Sequence, residues 1–385
     1  MKRRDFLKTG AMSAMMLALG PKRAHAGKAP TDHLPILDER MAAGEYVPHY
    51  EEPEITEPGL LCGPDGRLNP EARGWSRRPL LRCNLAGHWP RKKKWNYWCF
   101  ISREFAFSIT LSDIDYIGIA AAFFYDFETG ERIDVLSVTP FGRGVDMPEE
   151  VEADIRFRDG RLAFSLTHVD GGMKVDFEAP AMGGCRVRAD FLVHKPTGHE
   201  TLNIVVPWRS DRFQCNSKHN TLPCEGTVSV DGRVYRMDPE ACHGVLDFGR
   251  GMWPYRSCWN WAVATGKQGV DTIGVNMGAR WTTGTGANEN GFCVNGRLYK
   301  VMEDLVWEYD DQDWMGPWRI HAPHTGMLDM TLVPMFTNAE KVNLGPVSTR
   351  GDVSFGRWSG VLRFDGRTVE VDDLPGWAEE FVHRW

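Results

Sequence analysis

Gly87-His88-Trp89-Pro90-Arg91-Lys92-Lys93-Lys94-Trp95-Asn96-Tyr97-Trp98 and Gly251-Met252-Trp253-Pro254-Tyr255-Arg256-Ser257-Cys258-Trp259-Asn260-Trp261-Ala262 align without a gap at an offset of 164. They share Gly, two Trp, Pro and Asn at the same five places. With 15 Trp in 385 residues, such a recurrence marks a tandem duplication rather than coincidence. Three further blocks recur in the same order. Val270-Asp271-Thr272-Ile273-Gly274-Val275 echoes Ile114-Asp115-Tyr116-Ile117-Gly118-Ile119. Leu328 to Pro334 echoes Leu202 to Pro207 with one residue inserted, and Gly360 to Arg367 echoes Gly226 to Arg233.

The pattern between these blocks is β. Phe105 to Leu111 alternates with period two, as a half-buried strand does. Asp159-Gly160, Asp170-Gly171, Asp231-Gly232, Asn295-Gly296 and Asp365-Gly366 are dipeptides that supply the positive φ of tight hairpins. No segment carries a long helical repeat, and the one short helix expected runs from Leu374 to Val382. The fold class predicted is therefore all-β: two tandem antiparallel β-barrels and a short C-terminal helix. The expected divisions are a signal segment at 1–26, a Pro/Glu-rich arm at 27–78, a first barrel at 79–240 and a second at 241–385. Closing each strand set into a barrel removes its exposed edges.

The N-terminus reads as an export signal. Arg3-Arg4-Asp5-Phe6-Leu7-Lys8 precedes a mildly apolar stretch that ends in Ala24-His25-Ala26, the layout of a twin-arginine signal peptide with an A-x-A cleavage site. A periplasmic location follows as an expectation. No other run reaches the roughly 18 apolar residues of a membrane span. Residues 1–26 carry six basic side chains and one acidic one, so their removal takes the net charge from −7 to −12. An acidic exported chain is a poor partner for nucleic acid, and Arg91 to Lys94 reads as a solvated turn. The nine cysteines include no C-x-x-C pair. Folding before export, in a reducing cytosol, favours buried thiols, with a Cys215–Cys224 bridge across a hairpin as the alternative.

Gly-x-Trp at the start of a first strand is a hallmark of lipocalin-like barrels, and Gly87-x-Trp89 and Gly251-x-Trp253 resemble it twice. The body from about Gly74 to Trp385 also resembles a bacterial family known only as a domain of unknown function. The resemblance rests on Arg91 to Trp98, Leu111 to Gly118, Leu246 to Gly251, Trp259 to Trp261 and Asp373-Leu374-Pro375-Gly376-Trp377-Ala378-Glu379. More distantly, the double-barrel plan is similar to the carotenoid hydratase (hydroxyneurosporene synthase) and AttH-like group. That resemblance implies a barrel Asp and Trp as parts of an acid site; their match to Asp247 and Trp261 is an inference, not a shared motif.

The duplication is its own control: a charge present in one copy only points to function. Aligned through the opening motif, Asp247 falls on Cys83 and Arg250 on Ala86. An Asp within Val245-Leu246-Asp247-Phe248 either pairs with Arg250 or lines a pocket, where desolvation would let it act as an acid. His243 lies on the same face of a regular strand and is the candidate shuttle. Trp253, Tyr255, Trp259, Trp261 and Trp281 offer aromatic faces that stabilise cations, and Asp113 is a further candidate for ligand contact. His321-Ala322-Pro323-His324 is not a helical metal pair, and Asp310 to Asp313 lacks EF-hand spacing, so no metal is expected. Thr282 to Gly286 is not followed by Gly-Lys-Ser/Thr, and no cofactor motif is present.

These readings predict an exported protein that binds an apolar small molecule, an isoprenoid or lipid. Catalysis, if any, would be cofactor-free acid-assisted hydration, isomerisation or cyclisation. The alternatives are a non-catalytic carrier, and a carbohydrate-binding or carbohydrate-active protein, which would need Trp89, Trp98 and Trp314 in an open cleft.

Overall fold

The computed structural model describes residues 51–385. The export signal and residues 27–50 of the arm lie outside the described residues. Short strands β1 (Gly59–Leu60), β2 (Gly74–Ser76) and β3 (Leu81–Arg82) run through the arm and its exit. The first large sheet contains β4 (Lys92–Ile101), β5 (Phe105–Asp113), β6 (Ile117–Asp126), β7 (Arg132–Pro140), β8 (Ile155–Arg158), β9 (Ala163–Val169), β10 (Gly172–Met182), β11 (Cys185–His194), β12 (Leu202–Arg209), β13 (Arg212–Val230), β14 (Arg233–Met237) and β15 (His243–Met252). The second contains β16 (Arg256–Gln268), β17 (Asp271–Ala279), β18 (Gly291–Val294), β19 (Arg297–Lys300), β20 (Val306–Glu308), β21 (Trp318–His321), β22 (Leu328–Asn343), β23 (Ser348–Phe364) and β24 (Arg367–Arg384).

Both sheets curl into half-barrels. The first follows the order β7-β6-β5-β4-β15-β13-β11-β10-β9-β8, with β12, β14 and β2 attached through β13 and β12. The second follows β19-β18-β17-β16-β24-β23-β22-β21-β20. The plan repeats: β4 and β16, which begin within the two copies of the opening motif, each pair antiparallel with the last strand of their own repeat, β15 and β24. The long strands β13 and β23 kink at Gly226 (φ +146°) and Gly360 (φ +153°). A Cβ there would stand 2.4 Å from Asp190 O and 2.1 Å from Asp329 O, so both copies keep glycine for the same reason. After each kink come Asp231-Gly232 and Asp365-Gly366, all at positive φ, the hairpin turn those dipeptides predict.

Three expectations are corrected. Leu374–Val382 is not a helix: it lies within β24, bonded to β16 on one side and β23 on the other. A short apolar run buried on both faces carries no period that separates helix from strand. Among the described residues only the turn Pro70–Ala72 is helical. β15, assigned above to the second unit, belongs to the first sheet, because it is the closing strand of repeat one. Cys215 and Cys224 lie nine positions apart on one strand, β13, roughly 30 Å at strand rise, too far for a bridge. All nine thiols are free.

Residues 51–78 lie along both sheets. Glu52 pairs with Lys300 at 3.0 Å, both buried, and Arg77 bonds Glu200 and Leu298 O. Each half-barrel fills its concave side with its own apolar core. A third apolar layer lies between the sheets, where Cys99, Ile101 and Val245 of the first meet Trp261, Val263, Phe355 and Trp377 of the second.

Candidate functional site

Alternation along β4 and β15 decides where the site lies. Trp98, Phe100, Leu246 and Phe248 enter the first core, so Tyr97, Val245 and Asp247, one position away, face the second sheet. The site therefore sits in the seam between the half-barrels, not inside one.

Asp247 is held there by three donors. Lys218 Nζ, from β13 in direct register, stands 3.0 Å from Oδ1. Trp95 Nε1 donates to Oδ2 at 3.0 Å and Asn216 Nδ2 to Oδ1 at 3.4 Å. The same ammonium lies 3.1 Å from Glu289 Oε2 and 3.9 Å from the centroid of the Trp261 ring. Trp281 Nε1 donates to Glu289 Oε1 at 2.6 Å, and Trp261 Nε1 to Asn276 Oδ1 at 2.8 Å. Gly249 and Gly278 make room, since a Cβ on either would come within 2.2 Å of Trp95 or Glu289.

This is one ammonium between two carboxylates, with side-chain exposures of 4% for Lys218, 1% for Glu289 and 13% for Asp247. Asp247 is the member that water reaches most easily. Burial works against the Lys218 charge, but Asp247 and Glu289 more than offset it and hold its pKa above the ordinary lysine value. Burial raises the Glu289 carboxyl, and Lys218 offsets part of that. A cavity of about 20 Å³ touches Lys218 and Asn276 and is bounded further by Glu200, Asn220 and Leu202. That volume holds one water, so a larger ligand enters only where the side chains of the seam move apart.

A second carboxyl shares the seam. Glu379 of β24 stands directly opposite Trp261, and Trp259 Nε1 donates to its Oε1 at 2.9 Å. Burial pushes its pKa up to about 8. Tyr97 and Trp377 meet the Trp261 ring edge-on at 6.0 and 5.3 Å. Trp253 lies 5.8 Å from Trp95, 5.9 Å from Trp259 and 5.6 Å from Trp281, joining the three carboxyl-bound indoles.

The remaining predicted residues fall elsewhere. Arg250 does not pair with Asp247. Neighbours on one strand face opposite ways, and 250 has the other parity. Its buried guanidinium bonds the carbonyls of Trp95, Pro148 and Gly249 and Asn96 Oδ1, and burial brings its pKa down to about 10. His243 shares the face of Asp247 but lies four residues away, about 13 Å, beyond direct proton transfer. Burial pushes its pKa down to about 4. Asp113 caps the β5–β6 turn by accepting Asp115 N at 2.9 Å. Tyr255 is 44% exposed and donates to Pro346 O, away from the seam. Trp98 stacks on Phe100 inside the first core while Trp89 is 64% exposed, so the indoles required of a sugar cleft are dispersed. Among the described residues no group of three or more His, Cys, Asp or Glu could hold a metal.

Lys218, Glu289, Glu379 and Trp95 were not among the predicted site residues. Trp95 stood in the opening motif. Glu379 was hidden by the helical reading of its strand. Lys218 and Glu289 gave no signal, because only the β13–β15 register and a long loop bring them to Asp247.

Residues 52–385 match the model of a family described as a domain of unknown function, DUF2804. The chain belongs to that family. No curated protein matches the chain. Among solved structures, this DUF2804 chain is similar to CghA crystallised with Sch210972, at 13% identity and a TM-score of 0.47, over 76% of this chain and 88% of that one. It is also similar to kievitone hydratase from Nectria haematococca, at 12% identity and a TM-score of 0.40, with the same coverage.

Proposed function

We propose that the protein is an enzyme that moves protons on an apolar small molecule, an isoprenoid or lipid, at the seam between its half-barrels, by hydration, isomerisation or cyclisation. The observation that carries this reading is the buried Lys218 ammonium, shared by Asp247 and Glu289 and lying on the Trp261 face. Burying three charges costs several kcal/mol per ion unless their mutual attraction is nearly ideal, and hydrophobic side chains of equal volume pack as well or better. A folding role alone gives little reason to keep them, whereas acid–base chemistry needs titratable groups in a dry site. The aromatic faces suit a reacting carbon that becomes positive. Asp247, an acceptor of three donors, is the base; Lys218 fixes it and is shared with Glu289.

Asp247→Asn keeps the shape and removes the base. The protein is purified from its own host, co-purifying organic molecules are extracted and identified, and their conversion by wild type and variant is followed. The expected result is retained binding with turnover reduced by about 10²-fold or more. Equal turnover in the variant would sink the catalytic role of Asp247, and binding with no turnover in either protein would leave a carrier.

Export through the twin-arginine route is part of the same proposal and rests on Arg3-Arg4 and Ala24-His25-Ala26. A reporter fused behind residues 1–26 should reach the periplasm, and Arg3→Lys/Arg4→Lys should hold it in the cytoplasm.

A further inference from the structure

We propose that Glu379 is the proton donor of this site, the second half of an acid–base pair whose base is Asp247; the inference rests on the catalytic reading above. It starts from the duplication. Trp95 and Trp259 occupy the same place in the two copies of the opening motif, as do Tyr97 and Trp261. Tyr97 stands opposite Asp247 across β4 and β15, and Trp261 stands opposite Glu379 across β16 and β24. In each repeat the indole two residues earlier donates to that carboxyl, at 3.0 Å in the first and 2.9 Å in the second. Asp247 and Glu379 are therefore structurally equivalent.

The next strand over breaks the equivalence. Opposite Asp247 on β13 is Lys218, and opposite Glu379 on β23 is Val353. One carboxyl has a cation at 3.0 Å; the other has a side chain without charge. The charged and titratable groups that act on Glu379 are Lys218 and Asp247, of opposite sign, and Glu340 of β22. Tyr97 of β4 also lies close enough to feel it. None of these offsets its burial, which favours the neutral acid and agrees with a pKa of about 8. The seam thus holds, in matched frames, one carboxyl paired with a cation and one that stays a neutral acid at neutral pH, with the Trp261 ring under Lys218 and opposite Glu379.

The step follows. The Glu379 proton is taken by one carbon of an electron-rich C=C, whose π pair forms the new C–H bond. The positive charge then sits on the neighbouring carbon. Water adds there and its surplus proton goes to Asp247. Transfer of that proton back to Glu379 through water restores both groups, so the net reaction is addition of water.

Full-length mature protein, Glu379→Gln and Asp247→Asn are compared in two measurements, with 2,3-dihydropyran, an enol ether, as the probe alkene. The first is the infrared C=O band of a protonated carboxyl across pH 5 to 10. It should be present at pH 7 and half lost near pH 8 in wild type, absent in Glu379→Gln, and kept in Asp247→Asn. Absence of the band from wild type at pH 7 overturns the donor assignment. The second is hydration of the probe. Glu379→Gln should slow it by about 10²-fold or more, and the wild-type rate should fall as pH rises past about 8, because the donor is then ionised. A Glu379→Gln protein that hydrates at the wild-type rate also overturns the assignment. A wild type that shows the band but hydrates no probe overturns the catalytic reading itself, so the two failures are distinguishable.

Discussion

In the first repeat an indole N–H reaches from β4 to a carboxyl on β15, and in the second another reaches from β16 to a carboxyl on β24. The frames match strand for strand, yet Lys218 accompanies Asp247 and Val353 accompanies Glu379. Duplication supplies two identical places for a carboxyl, and one neighbouring side chain sets which is charged. The same asymmetry runs through the Gly-x-Trp motifs. Trp253 is buried at the centre of the indole cluster, whereas its counterpart Trp89 is 64% exposed on a loop.

The largest effect should come from removing the cation. Lys218→Met leaves Asp247 and Glu289 buried together without their cation, and the cost expected for breaking such a group is about 3–5 kcal/mol. Urea unfolding would read it as a lower midpoint at unchanged slope. The triple variant Lys218→Met/Asp247→Asn/Glu289→Gln should regain most of the loss, and a Lys218→Met protein as stable as wild type would show that the charges do not depend on one another. The next test gives the second repeat the partner of the first. Val353→Lys should place an ammonium beside Glu379 and lower its titration by about 1–3 pH units, read from the infrared carboxyl band. If the band still disappears near pH 8, the register argument fails.

A third test uses stability against pH. The folded pKa of Glu379, about 8, lies above that of an exposed glutamate. The stability it contributes is therefore complete below the ordinary value of 4.5, falls as pH rises from there, and is fully lost once pH has passed about 8. Glu379→Gln, which stays neutral, should match wild type below about pH 4.5 and pull ahead by about 1.4 kcal/mol for each pH unit between about 4.5 and 8, the gap staying constant above pH 8. An unchanged stability gap between the two proteins at pH 4.5 and pH 8.5 would break the assignment of a neutral acid.

The duplication and the β character were legible in the sequence because each rests on local signals: the five shared positions of the opening motif, the alternation of Phe105 to Leu111 and the Asp-Gly turns. Asp247 was legible because it is a charge within an apolar strand. Its partner was not. Arg250 was the nearest cation in sequence, but strand parity turns it away, and the cation that reaches Asp247 comes from 29 positions upstream through the register of β13. Glu379 was concealed by periodicity, since Leu374, Trp377, Ala378 and Phe381 mimic one helical face. Read at period two, Trp377, Glu379, Phe381 and His383 form one face, and His383 and Phe381 both stack on Trp259.

The finest test of the comparison uses the two indoles. Trp95→Phe and Trp259→Phe each keep an aromatic ring and delete one N–H donor, at equivalent places in equivalent frames. A hydrogen bond to a charged group contributes about 1.5–3 kcal/mol, and one between neutral groups about 0.5–1.5. Asp247 carries its charge beside Lys218, so Trp95→Phe should be the costlier change at pH 7, by about 1 kcal/mol. As pH rises past about 8 and Glu379 ionises, the Trp259 N–H gains a charged acceptor, and the cost of Trp259→Phe should climb toward that of Trp95→Phe. Chemical denaturation of both variants at pH 6, 7 and 9 measures the convergence. Equal costs at every pH would mean that the two carboxyls share one charge state, and the neighbouring strand, Lys218 in one repeat and Val353 in the other, would then not set it.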